Sequence, residues 1–91
     1  MNPNYRLDQD WARTVWLDLR PTKFLNINSD QVVYAGQYLT SYPVLIVTDE
    51  NEQGSICQPG DWLLANDAEA NGGVYPCDED VFNETYIKVQ Q

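Results

Sequence analysis

The chain has 91 residues, 43% of them hydrophobic, and this length and composition predict one small folded domain, residues 1–91, with residues 1–10 as a loose N-terminal arm. Five Lys and Arg against fourteen Asp and Glu give a net charge of −9, which argues against direct binding to nucleic acid or to an anionic membrane surface. No apolar run approaches the roughly 20 residues of a transmembrane helix, and residues 1–11 lack the pattern of a secretion signal, so we expect a cytoplasmic protein.

The first strand is predicted in WARTVWLDLRP, residues 11–21. Apolar side chains alternate there on one side, at Val15, Leu17 and Leu19. This period of two is typical of a β-strand, which Pro21 ends because proline has no N–H to donate. The alternative is a helical turn or two over residues 7–13, since Leu7, Trp11 and Val15 are spaced four apart.

The middle of the chain alternates between β-rich and polar segments. KFLNINSDQ is a short apolar patch followed by a polar loop at residues 26–31, and VVYAGQYL after it is β-rich, with Gly36 predicting a bulge or a break. The clearest strand lies in YPVLIVTD, where the apolar run from Val44 to Val47 fits a central strand with both faces covered. ENEQG, ending at Gly54, predicts a hairpin connection to SICQ.

Two chain reversals are predicted in residues 58–77. Pro59 and Gly60 suit the central positions of a type II turn, because proline fixes φ at the second residue and glycine accepts the positive φ of the third. The strand DWLLA leaves this turn. After the loop NDAEANGG, the pair Asn71-Gly72 is predicted to close a hairpin onto GVYPC.

A short helix is predicted at residues 78–84. Asp78 is a good N-cap, the two acidic residues after it place negative charge at the positive end of the helix, and Phe82 and Tyr86 lie on one face. YIKV then reads as a closing strand. These elements predict a mainly β, α+β domain: a twisted or partly closed antiparallel sheet of about five to six strands, with one short helix near the C-terminus and a second near the N-terminus left open.

The C-terminal segment, residues 54–89, contains an ordered set of turn formers, apolar residues and rings: Gly54, Pro59, Gly60, Asp61, Trp62, Leu63, Leu64, Gly72, Tyr75, Pro76, Phe82 and Tyr86. Their order and spacing resemble the small PGDYG-domain proteins of bacteriophage and prophage genomes, over less than half of the chain. Leu63 stands where the name-giving motif has glycine, and Gly73 where many relatives have a glutamate. The resemblance implies a compact, mostly β domain of phage or phage-like descent, and it brings no established activity.

The residue types give no recognisable catalytic site. Without histidine, the candidate nucleophiles Cys57, Cys77 and Ser55 lack their usual activating base. Both cysteines sit in apolar stretches and are expected to stay reduced. Asp61 is expected to accept hydrogen bonds from its turn rather than to pair with a second carboxylate such as Glu69. We therefore expect no enzyme activity, no catalytic residue and no cofactor.

The loop at residues 67–78 imitates a calcium-binding loop, because Asp67, Glu69 and Asn71 stand at alternate positions. Its twelfth position is Asp78 rather than glutamate, and Tyr-Pro inside the loop conflicts with an exiting helix. A polar hairpin loop accounts for the same residues, so we expect no metal site.

Aromatic residues make up 12% of the chain, more than a core of this size needs. One set is expected to pack into a cluster: Trp62, Tyr75, Phe82 and Tyr86. A second set is a candidate interaction surface: Trp16, Tyr34, Tyr38 and Tyr42. The alternative for the second set is that it fills the core of a small barrel.

The expected function is that of a non-catalytic protein-binding module, a phage or mobile-element accessory protein that acts on a host or phage protein, with a basic partner favoured by the charge. A homo-oligomer is left open. The alternative is an acidic mimic of nucleic acid that inhibits a host DNA- or RNA-binding defence protein. Rows of acids on one side favour mimicry, whereas scattered acids beside an exposed Tyr or Trp patch favour an ordinary protein interface.

Overall fold

The computed structural model describes residues 5–89, which form eight strands and two helices. In chain order the elements are β1 (Tyr5–Leu7), α1 (Gln9–Asp18), β2 (Thr22–Asn26), β3 (Val32–Gln37), β4 (Val44–Ile46), β5 (Ser55–Cys57), β6 (Trp62–Ala65), β7 (Val74–Cys77), α2 (Glu79–Thr85) and β8 (Tyr86–Lys88). Of the expected loose arm, residues 5–10 form β1 and begin α1, and residues 1–4 lie outside the described residues.

The strands form two sheets. The large sheet has five antiparallel strands in the order β7-β6-β3-β2-β8, and the small sheet has three in the order β1-β4-β5. In the small sheet β4 pairs with β1 in parallel and with β5 antiparallel. The expected mainly β, α+β class is confirmed, while the described residues contain eight strands in two sheets where the sequence predicts five to six in one.

The segment predicted as the first strand is helix α1. The helix begins after Asp8, whose carboxylate accepts a hydrogen bond from the Trp11 amide at 3.0 Å, as an N-cap does. Ala12 and Trp16, four residues apart, are fully buried, while Leu17 is exposed. The strand prediction is wrong because the alternating apolar residues also fit a helical repeat, and only the helix has a cap and a buried face here.

The large sheet is covered on both faces. One face packs against α2, and its buried cluster consists of Val33, Ala35, Leu64 and Phe82. The other face packs against α1 and the small sheet, in a cluster that includes Trp16, Ile46, Leu63, Ala65 and Val74. We call these the α2 face and the α1 face. Successive side chains of a strand point to opposite faces, which is why the neighbours Leu63 and Leu64 belong to different clusters.

Strand β3 continues through Gly36, so the predicted bulge or break is wrong: Gly36 pairs with Leu63 inside the strand. Glycine is required there for another reason. A Cβ at this position would lie 2.6 Å from the Cβ of Leu19, the residue that ends α1. Gly36 therefore allows the end of α1 to approach the sheet closely.

The two predicted reversals of the C-terminal third are confirmed. The amide of Asp61 closes the first turn with a 2.9 Å hydrogen bond to the carbonyl three residues earlier, and Gly60 has the positive φ of +100° that a type II turn requires. β6 and β7 form the predicted hairpin. Its loop differs in detail, because the positive φ values fall on Ala70 and Gly73 rather than on the pair Asn71-Gly72.

The other predicted elements are placed as expected. β4 is the central strand of the small sheet, and a hairpin joins it to β5. Its second face is not covered as predicted, because Leu45 is only half-buried and its partner Ile56 on β5 is 46% exposed. α2 begins after Asp78, whose carboxylate accepts hydrogen bonds from the amides of Asp80 and Val81, and β8 follows as the closing strand. β2 forms from the apolar patch for which the sequence predicts no strand. Neither helix within residues 5–89 has both the length and the apolarity needed to cross a membrane.

Candidate interaction surface

Two of the four residues predicted for an interaction surface lie in the core. Trp16 is fully buried, and its Nε1 donates to the carbonyl of Tyr34 at 3.0 Å. Tyr38 is also buried; its hydroxyl donates to the carbonyl of Tyr42 at 2.8 Å, and burial raises its pKa. Tyr34 is half-buried, with Nζ of Lys23 6.0 Å from its ring centre. The surface prediction is wrong for Trp16 and Tyr38, because α1 and the small sheet pack against the large sheet and enclose both side chains.

Tyr42 is exposed, at 44%, as a surface residue should be. Its ring centre lies 5.1 Å from that of Tyr5, which is 54% exposed. We call these two residues the aromatic pair. Strand pairing holds Tyr5, which lies opposite Val44 in the small sheet, and the Tyr38 hydroxyl donates to the backbone carbonyl of Tyr42. The sequence does not indicate Tyr5, because strand pairing between distant segments brings it to Tyr42.

The predicted ring cluster is confirmed on the α2 face. Phe82 is buried and stacks on Trp62, with ring centres 4.0 Å apart, and on Tyr86 at 5.0 Å. Phe24 joins from β2, with its ring centre 4.9 Å from that of Phe82, and no local pattern in the sequence indicates this contact. Tyr75 packs against the same cluster, where burial raises its pKa to about 12. These rings cover the sheet, so they stabilise the fold rather than forming a contact surface.

Asp61 has the structural role that the sequence predicts. One carboxylate oxygen accepts a hydrogen bond from the amide of Gln58 at 2.9 Å, and the other accepts one from the amide of Glu79 at 3.1 Å. The second bond joins the Pro59-Gly60 turn to the first residue of α2. Both oxygens of the Asp61 carboxylate are therefore engaged with backbone amides, and they link the turn to α2. Pro76, the other proline of the predicted motif, lies within β7.

The two thiols are poorly suited to act as nucleophiles. Burial, together with the nearby Asp61 carboxylate, raises the pKa of Cys57 to about 12. Burial, followed by the charges of Asp78 and Asp61, also raises the pKa of Cys77. Both cysteines are free. Because the thiolate is the reactive form, these surroundings oppose covalent chemistry at either sulfur.

A polar cleft of about 500 Å³ lies where α1, the loop after β4 and the β6–β7 loop meet. Gln9 joins these segments: its Nε2 donates to the carbonyls of Val47 at 2.6 Å and Val74 at 2.9 Å, and its Oε1 accepts the Val74 amide at 2.7 Å. The charged residues that line the cleft are Asp10, Arg13, Asp49 and Glu50. Three carboxylates against one guanidinium favour a cationic group over an anionic one.

Acidic residues are spread over the surface rather than gathered on one side. The two helices cover opposite faces of the large sheet, and both carry acids: Asp10, Asp18, Glu79, Asp80 and Glu84. In the loop spaced like a calcium site, Asp67 accepts hydrogen bonds from the amides of Glu69 and Asn71, both at 3.0 Å. Among residues 5–89, no group of three or more His, Cys, Asp and Glu is placed to hold a metal ion.

No protein-family model, no curated protein and no solved structure matches the chain. The resemblance to PGDYG-domain proteins therefore stays a prediction, and the function is argued from the surface features above.

Proposed function

We propose that this protein is a non-catalytic interaction module that binds another protein through a surface centred on the aromatic pair, Tyr5 and Tyr42. The observation that carries the proposal is two half-exposed rings 5.1 Å apart, one held by strand pairing and the other by a hydrogen bond from Tyr38, on a protein of net charge −9. Tyrosine is favoured at protein interfaces because it offers a large apolar area with a polar tip.

The aromatic pair is organised before any partner binds. Tyr5 belongs to β1, and the buried Tyr38 hydroxyl holds the backbone of Tyr42. Side chains that are already ordered lose little conformational entropy on binding, so more of the contact energy appears as affinity. Rigid aromatic anchors of this kind commonly dominate the affinity of a protein interface.

The proposed partner is a basic protein. A net charge of −9 attracts and orients a positively charged surface and raises the association rate. In the polar cleft, Asp10, Asp49 and Glu50 provide acceptors for Lys or Arg side chains. The resemblance to phage proteins supports a host protein as the partner, and the two free cysteines are compatible with an encounter in the cytoplasm.

Catalysis is not part of the proposal. No Asp, Glu, Lys or Arg within residues 5–89 is buried, whereas catalytic groups are commonly tuned by burial. The two thiols have raised pKa values, which disfavour the nucleophilic thiolate.

Mimicry of nucleic acid has less support as the alternative function. A mimic needs carboxylates along one side of the molecule, in rows that imitate phosphates. Here acids lie on α1 and on α2, which cover opposite faces of the large sheet. Scattered acids beside two exposed tyrosines favour an ordinary protein interface.

Affinity capture from a bacterial lysate tests the proposal. The Tyr5→Ala/Tyr42→Ala variant is expected to retain at least about tenfold less of the captured protein than the wild type, because truncating two central tyrosines costs ~1–2 kcal/mol or more. The matched control is Leu17→Ala/Val81→Ala, which truncates one exposed apolar residue on each helix and is expected to retain the wild-type amount.

Repeating the capture at about 0.05 M and about 0.5 M salt separates the two functions, since salt screens exposed charges. Capture that persists at high salt and is lost with the tyrosines supports the aromatic contact. Salt-sensitive capture of a DNA- or RNA-binding protein that survives the tyrosine substitutions contradicts the proposal and supports mimicry.

A further inference from the structure

An apolar strip reaches the edge of the large sheet on the α1 face. In the strand register, Val32 of β3, Leu25 of β2 and Ile87 of β8 lie directly opposite one another. Val32 and Ile87 are exposed and Leu25 is half-buried, so α1 and the small sheet leave this part of the α1 face uncovered. We call these three residues the edge strip.

Strand β8 is the outermost strand on this side of the large sheet. The amide of Val89 donates to the carbonyl of Lys23 at 3.1 Å, which continues the β2–β8 pairing beyond the end of β8. Alternate residues of an antiparallel strand bond to the same neighbour, so Ile87 and Val89 direct their backbone groups to β2. The N–H of Lys88 and the C=O groups of Tyr86 and Lys88 therefore point outward, whereas the N–H of Tyr86 donates to the carbonyl of Phe82 at the end of α2. Open edge groups beside exposed apolar side chains form a template for a further strand.

We propose that a second copy of this chain occupies this edge, by antiparallel pairing of β8 with β8 about a two-fold axis at Ile87. The N–H of Lys88 in each copy then donates to the carbonyl of Tyr86 in the other, so the edge is self-complementary. The two Ile87 side chains face each other as a non-hydrogen-bonded pair, the type that brings side chains closer. The two edge strips join into one apolar row across a sheet with five strands from each copy.

The charges at this edge support a second copy of an acidic chain as the occupant. Lys23 and Lys88, two of the five cationic residues, lie on β2 and β8. In a two-fold contact these lysines face those of the other copy and add no attraction, but β2 and β8 carry no Asp or Glu, so two chains of net charge −9 meet where carboxylates are absent. The contact does not include Tyr5 or Tyr42, so it is independent of the proposed function.

The association is expected to be weak and to strengthen with salt. Only a short strand pairs, and two chains of net charge −9 repel each other, a repulsion that salt screens. Binding of a basic partner is expected to respond to salt in the opposite sense, or not at all. The two contacts are therefore distinguished by whether salt strengthens the association, which is expected only for the dimer.

Sedimentation equilibrium of the full chain, up to about 1 mM protein, tests the proposal. The Ile87→Glu variant is expected to raise the dimer dissociation constant at least about 30-fold, because two carboxylates would meet at the axis. Val81→Glu is the matched control: the same charge is introduced at an equally exposed residue on α2, 52% against 54% for Ile87, and the dissociation constant is expected to stay within about threefold.

A wild type that remains monomeric at about 1 mM in high salt overturns the proposal, as does an equal effect of the two substitutions. Hydrogen exchange of the wild type gives a second measurement that needs no variant. The amide of Lys88 is expected to exchange at least about tenfold more slowly at high than at low protein concentration. Dimerisation without that change places the contact on another surface and overturns the proposal, whereas lysate capture tests the proposed function separately.

Discussion

The two faces of the large sheet are closed by different means. Most of the rings on the α2 face come from one stretch of chain, from Trp62 to Tyr86. The α1 face is closed by α1 and the small sheet, through contacts between distant segments: Gln9 bonds to Val74, and Trp16 bonds to Tyr34. The polar cleft, the aromatic pair and the edge strip all belong to this second side. The α2 face serves stability, while the surfaces proposed to bind a partner or a second copy lie on the α1 side.

Two tryptophans show the difference at a single residue type. On the α1 face, Nε1 of Trp16 donates to a carbonyl. On the α2 face, Trp62 stacks on Phe82. Its Nε1 is the one buried side-chain nitrogen or oxygen within residues 5–89 that has no hydrogen-bond partner. A buried donor without a partner costs about 1–3 kcal/mol. The α1 face therefore has the better satisfied tryptophan, although its cover is assembled from distant parts of the chain.

Breaking the α1 face is expected to have the largest effect. Trp16→Ala removes a fully buried ring and its hydrogen bond, and should lower the free energy of unfolding by about 3–5 kcal/mol. That loss approaches the whole stability of a small domain. Urea denaturation followed by circular dichroism measures it. A folded variant that loses less than about 1 kcal/mol contradicts the packing of α1 on the sheet.

Replacing each tryptophan by phenylalanine sharpens the comparison. Trp16→Phe loses a satisfied hydrogen bond and leaves a cavity, and should cost about 1–3 kcal/mol. Trp62→Phe also loses contact area, but it removes a buried donor that has no partner, which is favourable. The free energy of unfolding should therefore fall by at least about 1 kcal/mol less than for Trp16→Phe. Urea denaturation of both variants gives the two free energies of unfolding. Equal losses would contradict a buried Trp62 Nε1 without a hydrogen-bond partner.

Two glycines test how closely α1 approaches the sheet. Gly36→Ala places a Cβ 2.6 Å from the Cβ of Leu19, so the end of α1 must move, at a cost of about 1–3 kcal/mol. Gly72→Ala is the control, since a Cβ there meets nothing within 4 Å, and its effect should stay within about 0.5 kcal/mol. Thermal unfolding of the two variants gives the difference. A neutral Gly36→Ala contradicts the close approach.

The last expected effect is absent near neutral pH and appears only at alkaline pH. Folding raises the pKa of Cys57 from 9.0 to about 12, so the protonated thiol stabilises the fold below about pH 9, and this contribution is lost as the pH rises toward 12. Cys57 should thus lower the free energy of unfolding by at most about 1.4 kcal/mol per pH unit in that window. Denaturant titrations at several pH values should give a shallower slope for Cys57→Ala than for the wild type. Identical slopes contradict the burial of this thiol.

The α2 face could be predicted from the sequence because its determinants are local. Pro59 and Gly60 specify a turn by their own φ preferences, and Asp78 caps the helix that follows it directly. Phe82 and Tyr86 are brought together by the spacing of a single helix and the strand that follows it. Phe24 was missed because it reaches this cluster only through the pairing of β2 with β3 and β8.

The α1 side could not be predicted in the same way. Val15, Leu17 and Leu19 fit a strand, while Leu7, Trp11 and Val15 fit a helix, and the N-cap at Asp8 shows its effect only once the helix is formed. Burial of Trp16 and Tyr38, which removes them from the predicted surface, depends on how α1 and the small sheet meet the large sheet. Tyr5 meets Tyr42 through parallel pairing between β1 and β4, which no local pattern indicates.

The central claim, that the partner surface lies on the α1 side of the molecule, is tested most directly by photocrosslinking in living bacteria. A benzophenone amino acid is placed either at Tyr42, in the aromatic pair, or at Asn83, an exposed position of α2. The account predicts a covalent adduct with a second protein from position 42 and none from position 83. An adduct from position 83 alone, or from neither position, contradicts it.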